Sequence, residues 1–132
     1  MKYFRTIAAS AVLFAFAAPA LAQMGQPPPI PMTPAQFAQA TPGQSVEISV
    51  RVKHVDRSTL YTELLEHQSA SVAKATGREV AIFFPDGTPV IMGSASDVTA
   101  GALLYVYGVL TKPGHVDAKR VVVDTKYVTV LN

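Results

Sequence analysis

The chain has no cysteine and no tryptophan, and only 15% of its 132 residues are charged. Without cysteine there can be no disulfide framework, no thiolate nucleophile and no sulfur-ligated zinc, so a stable fold has to rest on packing. Long hydrophobic runs are missing as well. The one sustained apolar stretch, Ile7 to Ala18, is broken only by Ser10 and is too short for a membrane-spanning helix, which needs ~20 residues. A hydrophobic content of 49% excludes a disordered chain, and the absence of heptads excludes a coiled coil. At this length one ordinary domain is all the chain can hold.

What is present begins with a three-part amino terminus. Lys2 and Arg5 give a short positive region, the apolar run follows, and Ala20-Leu21-Ala22 forms a small-x-small site ahead of Gln23. This pattern predicts a cleaved export signal over residues 1–22, hence a periplasmic or secreted protein with no stable membrane insertion afterwards. Cleavage would take Lys2 and Arg5 from the 11 basic residues and leave nine, against nine acids. The sequence pI near 9.0 therefore does not describe the mature chain. Bulk charge cannot hold such a protein to nucleic acid or anionic lipid, and any such binding needs a local patch.

Residues 23–44 read as a proline-rich spacer and a short helix. Four prolines fall within residues 23–32, a composition that favours extended polyproline II. Thr33-Pro34-Ala35-Gln36 then has the marks of a helix start: a capping hydroxyl, a proline where a missing N–H does no harm, and a glutamine able to complete a capping box. Thr41-Pro42-Gly43 ends it, leaving Phe37 as the large apolar side chain that pins the segment to a larger body.

From Ser45 the period changes to two. Val46, Ile48, Val50 and Val52 alternate with Glu47, Ser49, Arg51 and Lys53, which marks a strand with one buried and one wet face. A turn at Asp56-Arg57-Ser58 leads into Thr59–Glu66, which fits a second strand or the opening of a helix running towards Ala75; Thr59–Leu64 is read as the strand because Thr and Tyr suit a pleated surface. Residues 67–78 are small and polar and are expected to form a long connection closed by Gly77. Glu79–Phe84 is a third strand, with a short return at Pro89–Met92 beyond the Pro85-Asp86-Gly87 turn. Residues 94–101 suggest one helical turn ending at Gly101. Ala102–Leu110 is apolar on both faces, with Gly108 suggesting a bulge, and Ala118–Leu131 is rich in β-branched residues with a bend expected at Asp124–Lys126.

Five main strands in the region 45–132, with a helical element only between the third and fourth, suit a small mainly β barrel better than a sandwich. This run resembles an OB-fold, most tellingly in Gly93–Gly101, Leu104-Tyr-Val-Tyr-Gly108 and Val116-Asp-Ala-Lys-Arg-Val-Val. In length, signal and lack of cysteine the chain is similar to exported bacterial periplasmic OB-fold proteins. It departs from them in the insert at 67–78 and offers no motif from which functional residues carry over. The resemblance implies ligand binding on the face of the second and third strands.

Chemistry is sparse. There is no Gly-x-Ser-x-Gly, no His-Glu-x-x-His and no phosphate-cradling glycine loop, so no catalytic residue is assigned. His54, His67 and His115 match no local ligand spacing, so neither a metal nor a cofactor is expected. Glu63 and Glu66 read as solvated charge, and Tyr105, Tyr107 and Tyr127 as packing residues with hydroxyls at the rim. The remaining constellation is Arg51 and Lys53, with Arg57 and His54 nearby, as a cationic edge, and Tyr61 and Phe83 as aromatics on the expected binding face. The resulting expectation is an exported OB-like binding or envelope-stress module without catalytic activity. It would be a monomer whose partner is an unknown ligand or envelope protein. Nucleic-acid binding is the alternative but not the favoured one, requiring one contiguous basic patch. A saccharide or small-ligand binder is the other, requiring a concave pocket at Tyr61 or Phe83.

Overall fold

The computed structural model describes residues 30–132, so the expected signal and the spacer up to Pro29 lie outside the described residues. The first element is helix α1 (Pro34–Gln39), and it starts as its sequence dictates. The Thr33 hydroxyl accepts from the Gln36 backbone N–H at 3.1 Å while the Gln36 side chain accepts from the Thr33 N–H at 2.7 Å. Phe37, 3% exposed, is its anchor in the core.

Seven strands follow: β1 (Ser45–Asp56), β2 (Thr59–His67), β3 (Val72–Phe83), β4 (Val90–Ile91), β5 (Leu103–Lys112), β6 (His115–Val123) and β7 (Thr129–Leu131), with a 3-10 turn at Ala95–Asp97. β1 lies between β2 and β5, all antiparallel; β3 continues from β2, and β6 from β5. The two ends of this sheet meet where β3 and β6 run parallel through Ala81–His115, Ile82–Val116 and Phe83–Asp117. That seam closes the cylinder, and five long strands in this order make an OB-like barrel. β4 is a short parallel addition beside β6, and β7 one beside the start of β3.

The alternation in β1 decides what fills the interior. Val46, Ile48, Val50 and Val52 are buried there with Leu60, Leu64, Val80, Ile82, Leu104 and Val106. The Thr62 hydroxyl, also inside, donates to the Val80 carbonyl at 2.7 Å, so this buried oxygen is satisfied. A smaller apolar layer lies outside the barrel, where Val128 and Val130 of the C-terminal segment cover Leu65, Ala73 and Leu103.

Residues 67–78 depart from expectation. Only residues 68–71 are a connection: β2 runs on to His67, and β3 begins at Val72 and runs to Phe83. Small and polar residues suffice there because β2 on one side and β7 on the other hold the backbone of Val72–Lys74 in ladders, so the segment needs no large apolar side chains of its own. Gly77, at φ +76, takes up the register shift opposite Glu63 and Leu65 that bends the strand. The turn between β1 and β2 is Arg57-Ser58, with Arg57 at φ 58. Gly108 sits at a register shift in β5, where a side chain would collide with the Asp117 carbonyl oxygen.

Candidate ligand-binding face

Strand register assembles the face. His54, Tyr61, Ala81 and His115 form one row across β1, β2, β3 and β6; Asp56, Thr59, Phe83 and Asp117 form the next. The intervening Leu60 and Ile82 are buried, so alternation turns both rows outward. Tyr61 is 38% exposed and Phe83 50%. They are diagonal neighbours, a relation that sets residues on one sheet face about 7–8 Å apart. The His54 ring stacks on Tyr61 with centroids 4.6 Å apart and planes inclined by 18°. Phe83 also walls a shallow cleft of about 200 Å³ together with Thr59, Thr111, His115 and Asp117.

Of the five residues singled out in the sequence, the fold brings four to this region and commits the fifth elsewhere. Lys53 is exposed at the irregularity between Val52 and His54, and Arg57 is exposed in the adjoining turn. Arg51 instead donates to Glu63 at 2.9 Å across the β1–β2 ladder, and more weakly to the Asn132 side chain. Its guanidinium holds the Glu63 carboxyl below the ordinary range despite burial, and the Gly77 N–H at 2.6 Å adds to the effect. Glu63 is therefore not the solvated charge expected of it; it is 7% exposed and paired. Asp56 precedes Arg57, and Asp117, beside Phe83 in the row, is bonded to Lys119 at 3.2 Å. Arg51, Lys53, Arg57 and Tyr61 therefore do not form one contiguous patch, so binding by a basic surface is ruled out here, and what the face keeps is its two exposed rings with Lys53 and Arg57 at the margin.

His54, expected beside Arg57 at the end of the cationic edge, joins this face, and so does His115, which the sequence did not place there. The β1 irregularity after Val52 breaks simple alternation and turns His54 outward, and His115 arrives through the parallel seam with β3. His67 lies elsewhere: its Nδ1 donates to the Ser69 carbonyl at 3.0 Å and its Nε2 accepts from the Ser49 hydroxyl at 2.9 Å. Burial favours that neutral ring and lowers its pKa. Tyr105 and Tyr107 stack at 4.9 Å with Arg120 3.9 Å over the Tyr107 ring, and Tyr105, 1% exposed, donates to Glu47 at 3.1 Å. Burial drives its phenol well above the usual range. Tyr127 differs from this pair in being 54% exposed. Among the described residues there is no cluster of three or more His, Cys, Asp or Glu side chains able to hold a metal, and no helix is long and apolar enough to cross a membrane.

No family model matches the chain, and no curated protein matches it. Solved structures similar to it include two from Saccharomyces pombe. The telomere capping protein Ten1 from Saccharomyces pombe shares 18% identity over 68% of this chain and 75% of that one, with a TM-score of 0.45. A chain of the S. pombe Stn1–Ten1 complex shares 17% over 68% and 70%, with a TM-score of 0.44. Of the resemblance read in the sequence, the OB fold stands and the likeness to exported bacterial periplasmic proteins finds no support. Three further expectations find no support in these comparisons, whose neighbours are described as a telomere capping protein and a two-protein complex: the periplasmic or secreted location with its envelope-stress role, the envelope partner, and the monomer for which nucleic acid was not favoured. The physical reason is that location was read from residues 1–22 alone, and a barrel of this kind carries no mark of compartment.

Proposed function

We propose that this chain is a non-catalytic OB domain that binds single-stranded nucleic acid on the outer face of β2 and β3. The observation that carries the reading is the pair of half-exposed rings, Tyr61 and Phe83, set diagonally on one face. Successive unpaired bases can each take one ring, and stacking tolerates any base because every base has a π-face. His54 supports the Tyr61 ring from behind, while Lys53 and Arg57 at the neighbouring turn are available to phosphates. Arg51 has no part in it, because its charge is spent on Glu63.

With two cations and flanking acids, affinity comes mainly from stacking and depends little on salt. Two phosphate contacts on a single strand correspond to a slope of about −1.4 in log K against log salt. The test is fluorescence anisotropy with a labelled oligothymidylate and with the same strand in a duplex. The single strand binds, and Tyr61→Ala and Phe83→Ala each weaken it by about 10- to 100-fold, the worth of one stacked base. Equal affinity for the duplex, or full affinity in both variants, refutes the assignment.

A further inference from the structure

A second concavity lies apart from the β2–β3 face and shares no residue with it: a cleft of about 540 Å³ between the end of β4 and the bend that follows β6. It lies where the connection from β4 to β5, with its 3-10 turn Ala95–Asp97 and a turn at Gly101, φ +90, meets the bend after β6 over Ala102 and Val123. The volume lies within the range of small-ligand sites, roughly 300–1,000 Å³. Met92 and Tyr127, 56% and 54% exposed, stand at its margin. Met92 holds the left-handed conformation at φ 64, which a residue with a Cβ adopts reluctantly.

The polar groups in the wall have capacity left over. Asp97 accepts from the Ser94 N–H and hydroxyl through Oδ2 alone, at 2.8 and 3.3 Å, so Oδ1 remains. Thr125 accepts from the Leu103 N–H at 3.1 Å, which leaves its own O–H to give. One carboxylate and one ammonium, Asp97 and Lys126, balance each other, so the cleft has no net attraction for a strongly anionic ligand. What remains is an exposed aromatic ring beside a mixed set of donors and acceptors. That chemistry suits a ring compound with an apolar face and a hydroxylated edge.

We infer that this cleft binds a neutral saccharide of one or two rings, its apolar face on Tyr127 and its hydroxyls on Asp97, Thr99, Thr125 and Lys126. The test is a ¹H–¹⁵N NMR titration of the described domain's amides in the full chain with maltose, cellobiose and glucose 6-phosphate. At least one disaccharide gives saturable shifts at millimolar concentration, centred on Gly93, Gly101, Lys126 and Tyr127. Tyr127→Ala weakens this at least tenfold and Thr99→Val several-fold, with the remaining spectrum showing that both variants are folded. The inference is overturned if neither disaccharide saturates, if the phosphorylated sugar binds more tightly than the neutral ones, or if Tyr127→Ala leaves the shifts unchanged. None of these outcomes bears on Tyr61 and Phe83, so the two assignments stand or fall separately.

Discussion

Asp124 offers a test of the fold that can be worked through in advance. It lies at the bend after β6, is 2% exposed, and has a buried Oδ1 with no hydrogen-bond partner. Its backbone is fully engaged, donating to Leu103 and accepting from Tyr127 and Val128, so the side chain cannot leave without unmaking the bend. Burial pushes the carboxyl from its ordinary 3.8 up to about 6. The folded protein thus holds this proton more tightly than the unfolded chain does. Below pH 3.8 both states are protonated and nothing is lost; between 3.8 and 6 the unfolded chain ionises first and stability falls; above 6 the loss is complete. A shift of about 2 units at ~1.4 kcal/mol each gives a loss of up to about 3 kcal/mol. Asp124→Asn keeps the shape and removes the charge. In chemical denaturation at pH 7.5 the variant is therefore more stable than the parent by up to about 3 kcal/mol, and the difference shrinks towards zero at pH 4. A variant that is no more stable at pH 7.5, or a difference that does not change with pH, refutes the reasoning.

Three other substitutions probe the packing. Arg51→Ala leaves the Glu63 carboxylate, 7% exposed, with the Gly77 N–H but without its counter-charge, and costs about 2–4 kcal/mol in denaturation at neutral pH. Because the pairing lowers the Glu63 pKa, the stability it confers is present above the ordinary value of 4.5 and lost as pH falls through the lower folded value, so parent and variant converge in acid. Gly108→Ala places a methyl group 2.5 Å from the Asp117 carbonyl oxygen and 2.7 Å from Val116, and lowers stability by about 1–3 kcal/mol, read as a fall in the thermal midpoint. Phe37→Ala removes the one side chain of α1 that reaches the core and costs about 3 kcal/mol; proteolysis near residues 34–39 becomes faster while the barrel stays protected.

Much of this architecture is readable in particular residues. The four alternating β-branched and apolar side chains of β1 are enough to fix a strand and its inward face, and Thr33 with Gln36 places the start of α1 to the residue. The first half of β3 is not readable, because Ala73, Lys74 and Ala75 carry no periodic apolar signal and are held as a strand by neighbours on both sides. The candidate face was half legible. Tyr61 and Phe83 follow from strand alternation, but Arg51 could be discounted only once register set it opposite Glu63, twelve positions along the chain. His54 could be set near the end of β1 from its position, but its outward turn depends on a bulge, and His115 arrives through a seam between distant segments that leaves no local trace.

The parallel seam between β3 and β6 is only three residue pairs long, and it joins positions more than thirty apart in sequence. Contacts of such separation carry a high loop-closure cost, so the cylinder zips shut late, and before that the edge of β3 bearing Phe83 lies open to pairing with other chains. A molecule seated across β2, β3 and β6 clamps that last joint, and its occupancy can be read as a rise in melting temperature without any label.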